Sequence, residues 1–288
     1  MNNDNQMILA CVDGSILSEA VCDYAAWIVK RIDSPLKLLH TIDHHHEKGE
    51  LIDLSGSIGI DSRDHLLEEM ASHEQQQSKL RIKQGKSILQ AAKQRVIQDG
   101  VNDPVTCIRH GSLIDSLIEF ESDIRILVIG VRGKVHENQT GQIGEKIESL
   151  IRSLHRPILV ICTEYQFPER IMIAYDGSEA AEKAVEMVAC SPLYKGLECH
   201  LVCAGKKASA EGQLEKAAEK LKKSGDKEIF IARLDGKAEE KLCEYQDSHN
   251  IDLTIMGAFS HTRIHDLLLG SFTVKMLINS KKPLLLLR

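Results

Sequence analysis

The chain states one pattern twice. Val12-Asp13-Gly14-Ser15 returns as Tyr175-Asp176-Gly177-Ser178, each after an apolar run and before a helix-patterned stretch. Ile126-Leu127-Val128-Ile129-Gly130 returns as Leu253-Thr254-Ile255-Met256-Gly257, and His155-Arg156-Pro157-Ile158-Leu159-Val160 returns as Lys281-Lys282-Pro283-Leu284-Leu285-Leu286. Three matches in the same order mean two copies of one α/β module. The 288 residues leave each copy enough chain to bury its own core. A unit of this length is a duplicated domain and not a solenoid turn, so function is to be sought in each copy and between them.

Within each copy the elements alternate. Residues 7–12 read as a buried strand, and Val21, Ala25, Ile28 and Ile32 then form a helical stripe. Residues 36–42 are a second strand. Copy two opens alike, with a strand over 171–175, a helix carrying Ala181, Ala184, Val185 and Val188, and a strand over 198–203. Strands alternating with helices imply parallel strands joined by crossovers, covered on both faces. Copy one is longer by roughly 38 residues, mostly between Asp43 and Gln84, with a long helix expected to run toward Ile97. Residues 1–163 and 168–288 are the expected domains, with Thr163 to Glu169 as the linker.

Composition narrows the function classes. A net charge of −6 argues against generic nucleic-acid binding, because phosphate backbones demand a basic surface. No apolar run has the length of a membrane span, and Met1 to Gln6 lacks the features of a signal peptide, so a cytoplasmic location is expected. Cys11, Cys107, Cys162 and Cys203 lie in or beside apolar strands without any Cys-x-x-Cys, which fits reduced, buried thiols. Trp27 sits in the first helical stripe and reads as core or interface.

Open parallel sheets bind ligands beyond the carboxyl ends of their strands, where chain order reverses. Asp13 or Asp176 ends the first strand and Gly130 or Gly257 the fourth, so both signatures should meet at one crevice in each copy. After Gly257 a loop leads to Gly270-Ser271, which opens an apolar helix. Glycines admit close backbone approach, and a helix start offers unpaired N–H donors to an anion. Ser271 and Thr273 add hydroxyls and Arg263 a positive charge. A simple helix cap explains Gly270-Ser271 equally well.

With these segments the chain resembles the universal stress proteins, specifically their bacterial tandem form. The resemblance is carried by Ala174-Tyr175-Asp176-Gly177-Ser178, by Met256-Gly257-Ala258-Phe259-Ser260-His261 and by Leu267-Leu268-Leu269-Gly270-Ser271. It implies two Rossmann-like, doubly wound domains of five mainly parallel strands each, in the order 3-2-1-4-5, with helices on both faces. Nucleotide-binding members carry Gly, two residues, Gly, nine residues, Gly, then Ser or Thr. Copy two matches that spacing with Gly257, Ser260, Gly270 and Ser271, one glycine being replaced by serine. The resemblance therefore implies ATP or a related adenine nucleotide, with or without Mg2+. Its phosphates would lie at Gly257, Ser260, Gly270, Ser271 and Thr273, and Asp176 would be on the adenosine side. Copy one keeps Asp13, Gly130 and Gly133, but ten residues precede Gly144 and Glu145 follows it. A carboxylate facing a phosphate is repulsive. A retained fold with a weakened site is expected there, although Arg132 and Lys134 can offset the charge.

The resemblance also implies pairing through the last strands, Ile158 to Cys162 and Leu284 to Leu287. The expected assembly is a pseudo-dimer of the two domains, with a homodimer of chains as a further form. Other chemistries are poorly represented. His40, Asp43, His44, His45, His46 and Glu47 invite a metal, but adjacent histidines diverge on any regular structure and zinc needs about four converging ligands. A solvated His-rich loop is the expected state, with no metal site. There is neither a nucleophile elbow nor a complete Gly-x-x-x-x-Gly-Lys-Ser/Thr phosphate loop, so no catalytic residue is assigned. The reading is a nucleotide-binding stress-response regulator. A slow ATPase and an interaction module without ligand are the alternatives.

Overall fold

The computed structural model describes residues 6–42, 60–133, 145–205, 212–223, 225, 228–258 and 270–288, and of residues 60–71, 74, 145 and 146 the backbone alone. The first half runs β1 (Met7–Cys11), α1 (Ser18–Ile32), β2 (Leu36–Ile42), α2 (Ile60–Gln98), β3 (Val105–His110), α3 (Leu113–Phe120), β4 (Ile124–Gly130), α4 (Glu145–Ser153) and β5 (Ile158–Ile161). The second repeats it with β6 (Arg170–Ala174), α5 (Glu179–Cys190), β7 (Glu198–Ala204), α6 (Gln213–Lys223), β8 (Ile229–Leu234), α7 (Ala238–Ser248), β9 (Leu253–Gly257), α8 (Ser271–Asn279) and β10 (Leu284–Leu287).

Each half has the expected order. β1 pairs in parallel with β2 and β4, β2 with β3, and β4 with β5. The second half pairs β6, β7, β8, β9 and β10 in the corresponding way. The two sheets are also joined: β10 runs antiparallel to β5, setting Leu284 opposite Val160, Leu285 opposite Leu159 and Leu286 opposite Ile158. The result is one ten-stranded sheet in the order β3-β2-β1-β4-β5-β10-β9-β6-β7-β8.

Strand alternation sorts the side chains onto two faces. Ile8, Ala10, Leu159, Ile173 and Leu285 lie beneath α1, α2, α5 and α6. Leu9, Val160, Met172, Leu284 and Leu286 lie beneath α3, α4, α7 and α8. Both faces are covered, which is why β10 can be four consecutive buried leucines. Each fully buried leucine side chain is worth roughly 1.5–3 kcal/mol, so the short β10 strand holds its place by burial on both sides.

The longer first half resolves into α2, whose 39 residues stand where α6 has 11. Leu89, Ala92 and Val96 bury its last turns. Arg95 forks onto Asp23 of α1 with nitrogen–oxygen distances of 2.5 and 2.9 Å. Trp27 is buried in the α1 face, as its place in the helical stripe implied. Among the described residues no helix is long and apolar enough to cross a membrane.

Candidate functional site

The repeated Asp-Gly-Ser turn is a device for reversing a strand into a helix. After β6, Gly177 adopts φ +74°, open to glycine without the steric cost a side chain meets there. Asp176 Oδ1 accepts from the Ser178 N–H at 3.0 Å, closing the turn, and Ser178 Oγ accepts from the Ala181 N–H at 3.0 Å, capping α5. Gly14 takes the same conformation in the first half, φ +75°.

The neighbouring strand end completes the crevice. A Cβ at Gly257 would fall 2.9 Å from Ala180 Cβ, so glycine lets β9 end against the first turn of α5. Thr273 Oγ1 donates to the Ala258 carbonyl at 2.7 Å and thereby ties the chain leaving β9 to α8. Gly270 is the N-cap of α8 and supplies no side-chain cap. Gly270 leaves the first-turn N–H groups of α8 uncapped by its own side chain, at the positive end of the helix dipole.

These parts enclose a cavity of about 190 Å3 beyond the carboxyl ends of β6 and β9. Asp176, Gly257, Gly270, Ser271 and Thr273, each singled out in the sequence, all line it. Asp176 is the only charged residue among the described lining residues. Beside it, Tyr175 donates its hydroxyl hydrogen to Glu182 Oε1, and burial first, then this bond, raises its pKa. Tyr175 therefore stays neutral.

A model of the universal stress protein family matches residues 5–161 and 204–288, both halves of the duplicated fold. The chain belongs to this family. The universal stress protein Slr1230 of Synechocystis sp. (strain ATCC 27184 / PCC 6803 / Kazusa) is 33% identical over 285 residues, spanning 98% of this chain and 99% of its own. The crystal structure of a universal stress protein from Archaeoglobus fulgidus DSM 4304 superposes with a TM-score of 0.72 at 17% identity, covering 99% of this chain and 98% of that one. A putative universal stress protein from Pseudomonas aeruginosa UCBPP-PA14 gives 0.58 at 13% identity, covering 99% and 94%. At these identities the two structures speak for the fold. The family model leaves out residues 162–203, yet β6 and α5 within them repeat β1 and α1.

Several expectations for this universal stress protein are refined by the geometry. Thr273 was expected to offer its hydroxyl to phosphate. It is only 2% exposed and its hydrogen is engaged by Ala258, so it acts on the position of α8. Ser271 is not the cap of α8: Gly270 holds that position, and Ser271 is exposed in the first turn. Ser260, Arg263 and Gly144 lie outside the described residues, as do Asp43, His44, His45, His46 and Glu47. His40 Nδ1 meets the Val12 carbonyl at 2.7 Å, and the described residues hold no cluster of three metal-ligating side chains.

The first half brings its counterparts together as well. A Cβ at Gly133 would fall 2.9 Å from Asp13 Oδ2, and one at Gly130 would fall 3.2 Å from Leu17 Cβ. Asp13 accepts from the Ser15 N–H at 3.0 Å, as Asp176 does from Ser178, and also from Ser18 Oγ at 3.1 Å. Glu145 begins α4 where Ser271 begins α8.

Sequence reasoning missed the apolar wall. Val202 on β7, Leu242 on α7, Met256 on β9 and Phe272 on α8 line the same cavity. Phe272 was within reach, lying between two chosen residues. Val202 and Leu242 carry no signal apart from their ordinary burial pattern.

Proposed function

We propose that the second half of this universal stress protein binds ATP or a related adenine nucleotide, and that the chain acts as a cytoplasmic stress-response regulator. The observation that carries this reading is a cavity lined together by Asp176, Gly257 and the start of α8. A carboxylate accepts hydrogen bonds and repels phosphate, so Asp176 suits the base or ribose side. The anion belongs at Gly270 and Ser271, where the N–H donors of the helix start and the helix dipole favour it. The apolar wall of Val202, Leu242 and Phe272 suits the flat face of a base.

The first half is the weaker site, because Glu145 brings a carboxylate to the start of α4. Residues 1–163 and 168–288 are the two domains, paired as an intrachain pseudo-dimer. The antiparallel contact of β5 with β10 supports that assembly.

The test is to denature freshly purified protein and identify the small molecules released, followed by ATP titration of the emptied protein. Adenine nucleotide in the extract, or saturable binding of added ATP, is the expected result. A protein that purifies empty and ignores ATP would instead be an interaction module.

A further inference from the structure

α2 outruns the fold it belongs to. Its last turns are seated: a Cβ at Gly85 would meet His40 Cδ2 at 2.8 Å, Leu89, Ala92 and Val96 are buried, and Arg95 grips Asp23 and Glu19 of α1. Ahead of Gly85 the helix continues as an arm. At 1.5 Å per residue, residues 60–84 extend it by roughly 37 Å. Of the side chains described between Ser72 and Gln84 none is buried, and Leu80 is 59% exposed. The equivalent α6 ends after 11 residues, so the repeated fold does not require the arm. Long helices draw most of their stability in water from tertiary packing, and none of the described side chains between Ser72 and Gln84 is buried in the core.

The arm is electrically divided. From residue 61 to 74 it carries Asp61, Asp64, Glu68, Glu69 and Glu74 against Arg63 alone. From 75 to 86 it carries Lys79, Arg81, Lys83 and Lys86 and no acid. Acids early and bases late also complement the dipole of a single helix. The same division makes two arms complementary in one orientation only. Side by side in parallel, acid meets acid and base meets base. In the antiparallel sense each acidic end meets a basic end, twice over by symmetry, and such charge rows are what select orientation in paired helices. Between the charged ends lies Gln75-Gln76-Gln77, neutral and long enough to hydrogen-bond across a helix pair.

We propose that the α2 arm is a dimerisation element, which pairs antiparallel with the arm of a second copy of this chain, acidic end against basic end. This contact is separate from β5, β10 and the cavity, and it does not depend on the nucleotide reading.

The full-length chain is tested by sedimentation equilibrium over a range of protein and salt concentrations. A dimer that weakens as salt rises is expected, since exposed charges are screened. Two charge-swapped chains are then compared, one with Lys79→Glu, Arg81→Glu and Lys83→Glu, the other with Asp64→Lys, Glu68→Lys and Glu69→Lys. Each alone should associate at least about tenfold more weakly than the parent, because most charge pairs at the contact become repulsive. Mixed together, they should form a heterodimer. Circular dichroism of each variant checks that the helix content survives. A parent that stays monomeric, variants that dimerise like the parent, or a mixture that fails to reassociate would each overturn the proposal.

Discussion

A Cβ placed on Gly257 would lie 2.9 Å from the Cβ of Ala180, so β9 and the first turn of α5 meet with no room for a methyl group. Gly257→Ala must push the two elements apart or strain them. A cost of about 1–3 kcal/mol in stability is expected, together with a loss of ATP affinity, because the cavity lies at this contact. Thermal melting and calorimetric titration measure the two effects separately. Unchanged values for both would mean that the close approach has no structural role.

Ser271 separates ligand binding from folding. It is exposed in the first turn of α8 and does not cap it. Ser271→Glu should keep the parental melting temperature, since an acid is favourable in a first turn. It should weaken ATP binding about a hundredfold or more, by setting like charges close together. Ser271→Ala should cost only about 0.5–1.5 kcal/mol of binding. If the glutamate variant binds as tightly as the parent, the phosphate lies elsewhere.

Arg31 reaches from the first half to the second. Its Nη1 donates to the carbonyls of Leu193 and Lys195 at 2.9 and 3.0 Å, at the 3-10 turn Pro192–Tyr194. Tyr24 ties the first half to the linker, its hydroxyl donating to the Gln166 carbonyl at 3.2 Å. Arg31→Ala should lower stability by about 1–2 kcal/mol and Tyr24→Phe by about 1 kcal/mol. Denaturant unfolding of both variants and of the double variant tests whether the two ties act independently.

Alkaline pH should destabilise the chain through its buried thiols. Burial above all, and then Asp23, pushes Cys22 up from 9.0 to about 12. Below pH 9 the thiol keeps its proton in both the folded and the unfolded chain. Between pH 9 and about 12 the unfolded chain releases that proton and the folded chain holds it, so stability falls as pH rises. Denaturation midpoints at a series of pH values should show this decline, and Cys22→Ala should flatten part of it. A decline identical in the variant would assign the effect to other groups.

The 3-2-1-4-5 order came with the family resemblance. The sequence by itself determined the duplication, the alternation of strands and helices and the meeting of Asp176 with Gly257 and Gly270. These follow from local rules. Periodicity records which face of an element is buried, a left-handed turn selects glycine, and parallel strands bring their carboxyl ends to one side. The tertiary structure alone decided what lies across a space. β5 and β10 are apolar on both faces and would suit many neighbours, so their antiparallel register emerges only when the two halves meet. Val202 and Leu242 read as ordinary core until β7 and α7 carry them to the cavity. Thr273 looked like a ligand for phosphate until the Ala258 carbonyl came within 2.7 Å of its hydroxyl. A side chain's type limits what it can bond, but only the packed chain settles which partner arrives first.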